Sequence, residues 1–542
     1  MVVIDIKQDQ FWNKFEKDEM SIYLKGHIYS HSINELIELL YGIEDESSIA
    51  ELSHSIDGHF AIAVQKNDLS FILVDKIRST PLFFYKFDKN FYVSNNPQNI
   101  INQNDSRVGV DTTVLLEASM SGYTIGNKTF YKGLYALKAG ELVVFKDDNF
   151  KYIQYYKYFG EIEKKDYKSY QEELFDVTLK IFKKILKDIG DRQIVVPLSA
   201  GNDSRLVVSA LKYLSAKNVK CFSYGTQDNS EAKVAKIVAE KLGYEWIFIP
   251  LTHCTEKHYY SSSDYAEYLK YSESFASVPY IQGLSALKYL KDIGYVDSDA
   301  IFINGNSGDF ISGAHISKMM ESGKNLSSYE DRKENILNSL INKHFSLWGY
   351  LKTEKNISLI KKKLWDEIVL ACGDLRSDSS QDHLFYEYSE FIDRQTKYVI
   401  SGQRIYEYYG YEWRMPLWDD EYLFFWQKVP AEFKDEQNLY VSMLKDKNMC
   451  NVWGDDIPVN KKSIVPSWII PLRFIFKIPF VFFGKNAKKY WRNFEISFFY
   501  YWMDVTHMMD TVKYTRAMKD IFKKPRSHVS WQTEDYLSRF RK

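Results

Sequence analysis

Residues 195–205 read VVPLSAGNDSR, and LVVSALKYL follows at 206–214. An apolar run stops at Ser199, passes through Gly201 and reaches the carboxylate of Asp203 just as a helical period opens. In open parallel sheets, ligands sit beyond the carboxyl ends of the strands, where helix N-termini offer unpaired N–H groups to anions. Small residues after the strand let backbone N–H groups approach a phosphate, and Ser199 and Ser204 add hydroxyl donors. A carboxylate at Asp203 would repel that phosphate unless a divalent cation lies between them. Mg²⁺ characteristically binds through one or two carboxylates plus phosphate oxygens. The spacing is not that of the GxxxxGK[ST] loop, and no lysine is placed to reach a terminal phosphate. The competing reading is an ordinary strand–helix turn.

Working outward, strand and helix alternate. Strands are expected at Ile194–Leu198, Lys220–Tyr224, Trp246–Pro250 and Ala300–Ile303, and helices at Tyr167–Ile189, Ser204–Leu214 and Ser230–Leu242. This alternation predicts a parallel sheet covered by helices. Before it, Phe60–Val64, Phe71–Val74, Leu82–Tyr85, Phe91–Val93 and Gly140–Phe145 read as short β-type runs. After about residue 330 the chain reads as mostly helical and aromatic. The strand DAIFI (299–303) runs into NGNSGDFISGAH (304–315), which sets a second carboxylate, Asp309, just past a strand end. Two such carboxylates in one sheet could share a cation.

At 542 residues the chain is too long for one ordinary core, so several domains are expected. A net charge of −1 gives no sign of nucleic-acid binding. The four cysteines show neither paired nor metal-type spacing, which fits a reduced, cytoplasmic setting. The N-terminus lacks the pattern of a secretory signal, and no uninterrupted apolar run reaches the ~20 residues needed to span a bilayer. Residues 467–484, SWIIPLRFIFKIPFVFFG, are apolar but broken by Pro471, Arg473, Lys477 and Pro479. We expect this piece to pack on the core; the alternative is peripheral membrane contact over 467–492.

LSAGNDSR resembles the SGGxDS signature of the PP-loop ATP pyrophosphatases, with Ala200 in place of a glycine. NGNSGDFISGAH resembles the GxGxDELxGGY segment of the asparagine synthetase family, whose Asp helps to hold Mg²⁺; Gly305, Asp309 and Gly313 match. Ser307 replaces a glycine and Phe310 a glutamate. Asn306 stands where the resemblance implies a catalytic Glu or Tyr, and an Asn side chain cannot serve as a base near neutral pH. Glu412–Asp419 resembles the family's ExRxPFLD block through Arg414, Pro416 and Asp419, read here as a structural Arg–Asp pair near a helix start. The run 457–466 resembles a block whose lysine stabilises the acyl-adenylate step, a part that falls to Lys461 or Lys462, with Lys461 the closer match. Cys221–Thr226 resembles the strand ending near the adenine, which makes Ser223, Tyr224 and Gly225 candidates for adenosine contact.

The N-terminal region is similar to the family's class II glutamine amidotransferase domain. Lys25–Ser30 looks like its NGEIYN strand, and 57–64, Asp75–Arg78 and 80–85 like its central pattern. The resemblance implies a nucleophilic Cys at position 2, where this chain has Val. Lys25 also replaces the Asn of NGEIYN. The expected fold class is therefore α/β multidomain. It comprises a degenerate Ntn-type αββα-like domain (1–160), an adenine-nucleotide α-hydrolase-like parallel-sheet domain with a helical C-terminal part (166–466), and a basic, aromatic extension (467–542). The implied function is an AMP-forming, ATP- and Mg²⁺-dependent ligase that joins ammonia or an amine to a small-molecule, sugar or peptide carboxylate. Ser199, Gly201, Ser204 and Gly305 would contact nucleotide, and Asp203 and Asp309 the metal. A separate glutaminase would supply ammonia if glutamine is the source. Alternatives are a macrolactam synthetase like the lasso-peptide cyclases and a non-catalytic nucleotide-binding scaffold.

Overall fold

The computed structural model describes residues 1–542 except 67–68, 105–107, 147, 460–467 and 542. In the N-terminal part, a six-stranded sheet runs in the order Asn149–Gln154, Glu141–Lys146, Ser70–Val74, Gly58–Gln65, Met20–Ile28, Trp12–Lys17. Every neighbouring pair in it is antiparallel. A four-stranded sheet of Val2–Asp5, Asn90–Ser94, Phe83–Phe87 and Leu134–Ala136 faces it. The alternation of a strand's side chains explains the layering. Ala61 and Ala63 lie in the core between the two sheets, with Ile72, Val74, Val143 and Phe145. Phe60, Ile62 and Val64, one residue out of phase, lie in the larger core that continues into the rest of the molecule. The short strands at Val2–Asp5 and Trp12–Lys17 were not among the sequence expectations.

The second sheet system has five strands, all parallel, in the order Glu245–Pro250, Val219–Gly225, Ile194–Pro197, Ile301–Ile303, Glu412–Arg414. Chain order thus reverses between Ile194–Pro197 and Ile301–Ile303. That pair is the topological switch point, where a crevice opens beyond the strand ends. The helices Tyr167–Ile189, Asn202–Tyr213 and Ser230–Leu242 form close to where periodicity places them. Asp166 caps the first through Ser169 N–H and Asn229 the third through Ala232 N–H. The Asn202–Tyr213 helix starts at Gly201 with no side-chain cap, so its first turn keeps free N–H donors.

The C-terminal segment departs from expectation. Of 467–484, residue 467 lies outside the described residues, and the rest forms a helical hairpin, Ile469–Lys477 and Ile478–Asn486 followed by Ala487–Phe498, rather than a piece buried on the core. Ile469 is buried, but Phe474 is 74% exposed, Val481 70% and Phe482 88%. Pro471 and Pro479, the charged Arg473 and Lys477, and the aromatic run leave more apolar surface than one short hairpin can bury in itself. No described helix is long and apolar enough to cross a membrane.

Candidate active site at the strand ends

The two loops singled out in the sequence meet at the switch point. Ser199 N–H donates to the Ser204 hydroxyl at 3.0 Å, and Gly201 N–H donates to the Ser199 hydroxyl at 3.2 Å, which folds the turn tightly over the helix start. Asp203, in the first helical turn, is faced by the 304–309 loop. A Cβ on Gly305 would stand 2.6 Å from the Asp203 carbonyl carbon, and one on Gly308 would stand 2.4 Å from Asp203 Oδ1. Only glycine permits that approach. It brings the 308–309 backbone against the Asp203 carboxylate, to which Tyr440 Oη donates at 3.1 Å. Burial, reinforced by the charge of Asp309, still pushes the Asp203 carboxyl up to about 7. A divalent cation between the two carboxylates would relieve both causes, so the donor set fits Mg²⁺ in its oxygen chemistry and its charge.

Asp309 is held by a network that local patterns did not reveal. His315 Nε2 lies 3.2 Å from Asp309 Oδ2, and its Nδ1 lies 2.6 Å from Glu390 Oε1. Glu390 Oε2 is 2.9 Å from His344 Nε2, and Gln395 donates to Oε1 at 2.8 Å. Ser307 Oγ in turn donates to Gln395 Oε1 at 3.1 Å. Burial alone would lower the His315 imidazole, but the flanking Glu390 and Asp309 carboxylates raise it above its ordinary value. Burial likewise pushes Asp309 up, and the His315 hydrogen bond and charge, helped by Arg394, bring it below the usual range. Asp309 is therefore kept ionised. Glu390 opens a π-helical stretch, Glu390–Val399, a form often found at functional sites. It lies 75 residues from His315 in the chain, so no local pattern could have linked them.

The departures from the family pattern have packing reasons. Phe310, in place of a glutamate, is buried and stacks on Trp418 at 5.9 Å with Tyr158 at 6.2 Å. Asn306 gives its carbonyl to Trp418 Nε1 at 2.9 Å, and Asn304 Oδ1 accepts its N–H at 3.1 Å. On the Val219–Gly225 strand, Ser223 donates to the Leu198 carbonyl at 2.7 Å and accepts from Trp246 Nε1 at 2.9 Å, so its hydroxyl is engaged within the sheet. The Tyr224 hydroxyl lies against Gly283, where an added Cβ would stand 3.2 Å from it. Gly225 faces the C-terminal extension: Thr226 N–H donates to the Val505 carbonyl at 2.8 Å, next to a clasp in which Asp510 Oδ2 lies 2.9 Å from His253 Nδ1 and 3.2 Å from His507 Nδ1. The tail thus covers the end of that strand.

Lys461 and Lys462 lie outside the described residues, but the segment leading to them is fixed. Arg205, fully buried, donates to the carbonyls of Ile457 and Pro458, both at 3.0 Å, and of Ala200 at 3.2 Å. It ties the approach to Lys461 to the turn that carries Ser199. The sequence stretch contains Arg205, yet a grip on carbonyls some 250 residues away leaves no local signal. Arg414 pairs with Asp188 at 2.6 Å and not with Asp419, which caps the Asp420–Trp426 helix and binds Lys184 at 2.8 Å. The expected Arg–Asp pair therefore exists with a different aspartate.

The N-terminal part is bolted to this assembly by ion pairs, those of Lys25 and Lys76 buried. Lys25 Nζ meets Glu407 at 2.8 Å, Lys76 meets Asp420 at 2.7 Å, and Asp57 shares Lys184 with Asp419. Lys25 stands at the position where the family pattern has Asn.

The family model described as glutamine amidotransferase domain matches residues 14–157, and that described as asparagine synthase matches residues 187–447. The two matches together give this chain the domain combination of the asparagine synthetase family. The combination sets an Ntn-like domain of the glutamine amidotransferase type ahead of a parallel-sheet domain of the asparagine synthase type. A search of curated proteins finds no match. Among solved structures, glutamine phosphoribosylpyrophosphate amidotransferase from B. subtilis, complexed with ADP and GMP, is similar at 9% identity and a TM-score of 0.19, over 54% of this chain. This chain spans 63% of that protein's length, and a likeness so weak carries no argument.

Proposed function

We propose that this asparagine synthetase-type ligase adenylates a carboxylate and transfers ammonia or an amine to it, without a glutaminase of its own. The carrying observation is the convergence of the Ser199–Ser204 turn and the 304–309 loop, with Asp203 and Asp309 electrostatically coupled across it. In this reading Ser199, Gly201, Ser204 and the free first-turn N–H groups bind the phosphates. Gly305 lines their path, Asp203 and Asp309 hold Mg²⁺, and the end of the Val219–Gly225 strand borders the adenosine. The ion supplies charge neutralisation to the polyphosphate. A substrate carboxylate oxygen bonds to the α-phosphorus as the bond to the bridging β-oxygen breaks, and pyrophosphate leaves. Lys461, with Lys462 beside it, offsets the charge that develops there. The amine nitrogen then bonds to the acyl carbon, loses a proton, and AMP departs with the acyl oxygen. Proximity of the two reactants supplies several kcal/mol, on the order of ~7–11 in favourable cases. Asn306 cannot take the proton, so the base lies elsewhere.

Val2 and the Lys25–Glu407 pair support a retained but non-hydrolytic N-terminal domain. We divide the chain as 1–160, 166–466 and 467–542. The exposed Phe474, Val481 and Phe482, beside Lys485, Lys488, Lys489 and Arg492, support peripheral contact of the hairpin with an anionic lipid surface. Such contact favours amidation of a sugar acid in surface-polysaccharide synthesis over macrolactam formation.

The test is pyrophosphate release with pooled sugar and peptide carboxylates, with ammonia or glutamine as the nitrogen source. Turnover with ammonia that disappears in Asp203→Ala is expected. Nucleotide binding without pyrophosphate from any acceptor would leave only a scaffold, and turnover with glutamine in the purified chain would refute the loss of glutaminase activity.

A further inference from the structure

A second cavity opens against the far side of His315. It has a volume of about 1170 Å³, larger than a site for one amino acid needs, and His315 and Tyr386 are among the residues that line it. Its walls come from two separate parts of the chain. Lys318, Lys343 and Lys352 come from the helical region that follows the 304–315 loop, and Lys489, Arg492, Lys524 and Arg526 from the C-terminal extension. Glu321 and Glu436 are the acids lining it. Among the described residues none of these seven cations joins an ion pair, the half-buried Lys343 and Lys352 included. Lys352 Nζ donates to Asn342 Oδ1 at 2.8 Å, and Arg526 donates to the Lys343 carbonyl; neither acceptor carries charge.

The groups feel one another. Burial lowers Lys343 to about 8, and Arg394 and Arg526 add to the effect against the opposing Glu390 and Asp309 carboxylates. Burial, Arg526 and Lys489 lower Lys352. Burial also lowers Arg526, with Arg394 and Arg492 contributing. Folding therefore holds seven cations against two acids, Glu321 and Glu436, around one cleft, an excess of positive charge stabilised when an anionic ligand enters.

We propose that this cleft is the acceptor-substrate site and that it takes a substrate bearing a diphosphate. The cations hold the phosphates, and the carboxylate to be amidated points past His315 toward Asp309. The inference rests on the ligase reading above and names the substrate class for it. Guanidinium and ammonium groups from separate elements suit two linked phosphates, with Arg492 and Arg526 able to bond bidentately. The cleft is also walled by the Ala487–Phe498 helix, which belongs to the exposed apolar hairpin. A diphosphate linked to a lipid and one linked to a nucleoside share the chemistry read by the cations, and they differ in what the hairpin meets.

Isothermal titration of the full chain decides it. α,β-Methylene-ATP and Mg²⁺ are supplied first to fill the strand-end site, and UDP-glucuronate and farnesyl diphosphate are then titrated separately. Binding of at least one that weakens with salt, and weakens about tenfold or more in Lys352→Gln/Arg492→Gln, is expected. Preference for UDP-glucuronate assigns a nucleoside-linked substrate, and preference for farnesyl diphosphate a lipid-linked one. The charge-matched control Lys168→Gln/Lys187→Gln, on the exposed face of the Tyr167–Ile189 helix, leaves binding unchanged. If neither diphosphate binds, or both double variants bind alike, the cleft is not the acceptor site. If α,β-methylene-ATP itself fails to bind, it is the ligase reading that falls.

Discussion

Replacing Lys25 with Met removes one partner of the Lys25–Glu407 pair and tests whether the N-terminal domain is held as structure. Side-chain exposures of 8% and 5% place both charges out of water, and their atoms are 2.8 Å apart. Glu407 also accepts from Trp413 Nε1 at 3.0 Å and from Tyr271 Oη at 3.3 Å, so it cannot turn outward without breaking further bonds. Removing one member of a buried pair costs about 3–5 kcal/mol, because the other charge remains unpaired. With urea slopes of about 1–3 kcal/mol/M, the midpoint should drop by about 1 M or more at around pH 7.5. Intrinsic fluorescence of the 12 tryptophans, Trp413 among them, follows unfolding. The pH dependence carries a sign. Burial pushes Glu407 up, but Lys25 and Arg404 hold it below the usual carboxylate range. Its contribution is therefore present above the ordinary glutamate pKa and is lost as pH falls through the lower folded value. Without Lys25 the carboxyl rises and takes up a proton on acidification, so the gap between variant and wild type should narrow as pH falls. Lys25→Met/Glu407→Gln, which removes both charges and keeps an acceptor for Trp413, should recover most of the loss. A midpoint unchanged in the single variant, or a gap that widens with acid, would refute the reasoning.

Three further outcomes are expected. Gly308→Ala forces a Cβ onto Asp203 Oδ1 and should reduce pyrophosphate release by about a hundredfold or more while the melting curve stays near wild type, since the strain is confined to the site. Because Asp203 sits near 7, Mg²⁺ competes with a proton there; affinity measured by calorimetry should fall about tenfold from pH 8 to pH 6, with proton release on binding, and a flat profile counts against metal at this carboxylate. Phe474→Ser/Phe482→Ser should abolish flotation with vesicles containing phosphatidylglycerol and leave solution turnover intact; equal flotation of variant and wild type removes the membrane role.

Much of the candidate site was legible because short-range chemistry writes it. The Ser199–Ser204 turn and the 304–309 loop each follow a strand with small residues and one carboxylate, and strand–helix alternation announces the parallel sheet. The order of the strands was not legible, because pairing Ile301–Ile303 beside Ile194–Pro197 depends on crossovers rather than on either strand's residues. Glu390 and His344 were missed because their role comes from meeting His315 across the fold. The hairpin was misread because an apolar run looks the same whether it packs inward or faces outward. Phe310 could be flagged as a departure, but only the Trp418 stack explains why an aromatic ring is kept there.

The hydrogen bond from Thr226 to Val505 has a consequence for biosynthesis. The sheet can assemble on the ribosome well before the tail emerges, yet one border of the crevice is absent until residues 504–510 have been translated and have docked. Nascent chains would therefore carry an uncovered end of the Val219–Gly225 strand until that segment has emerged and docked.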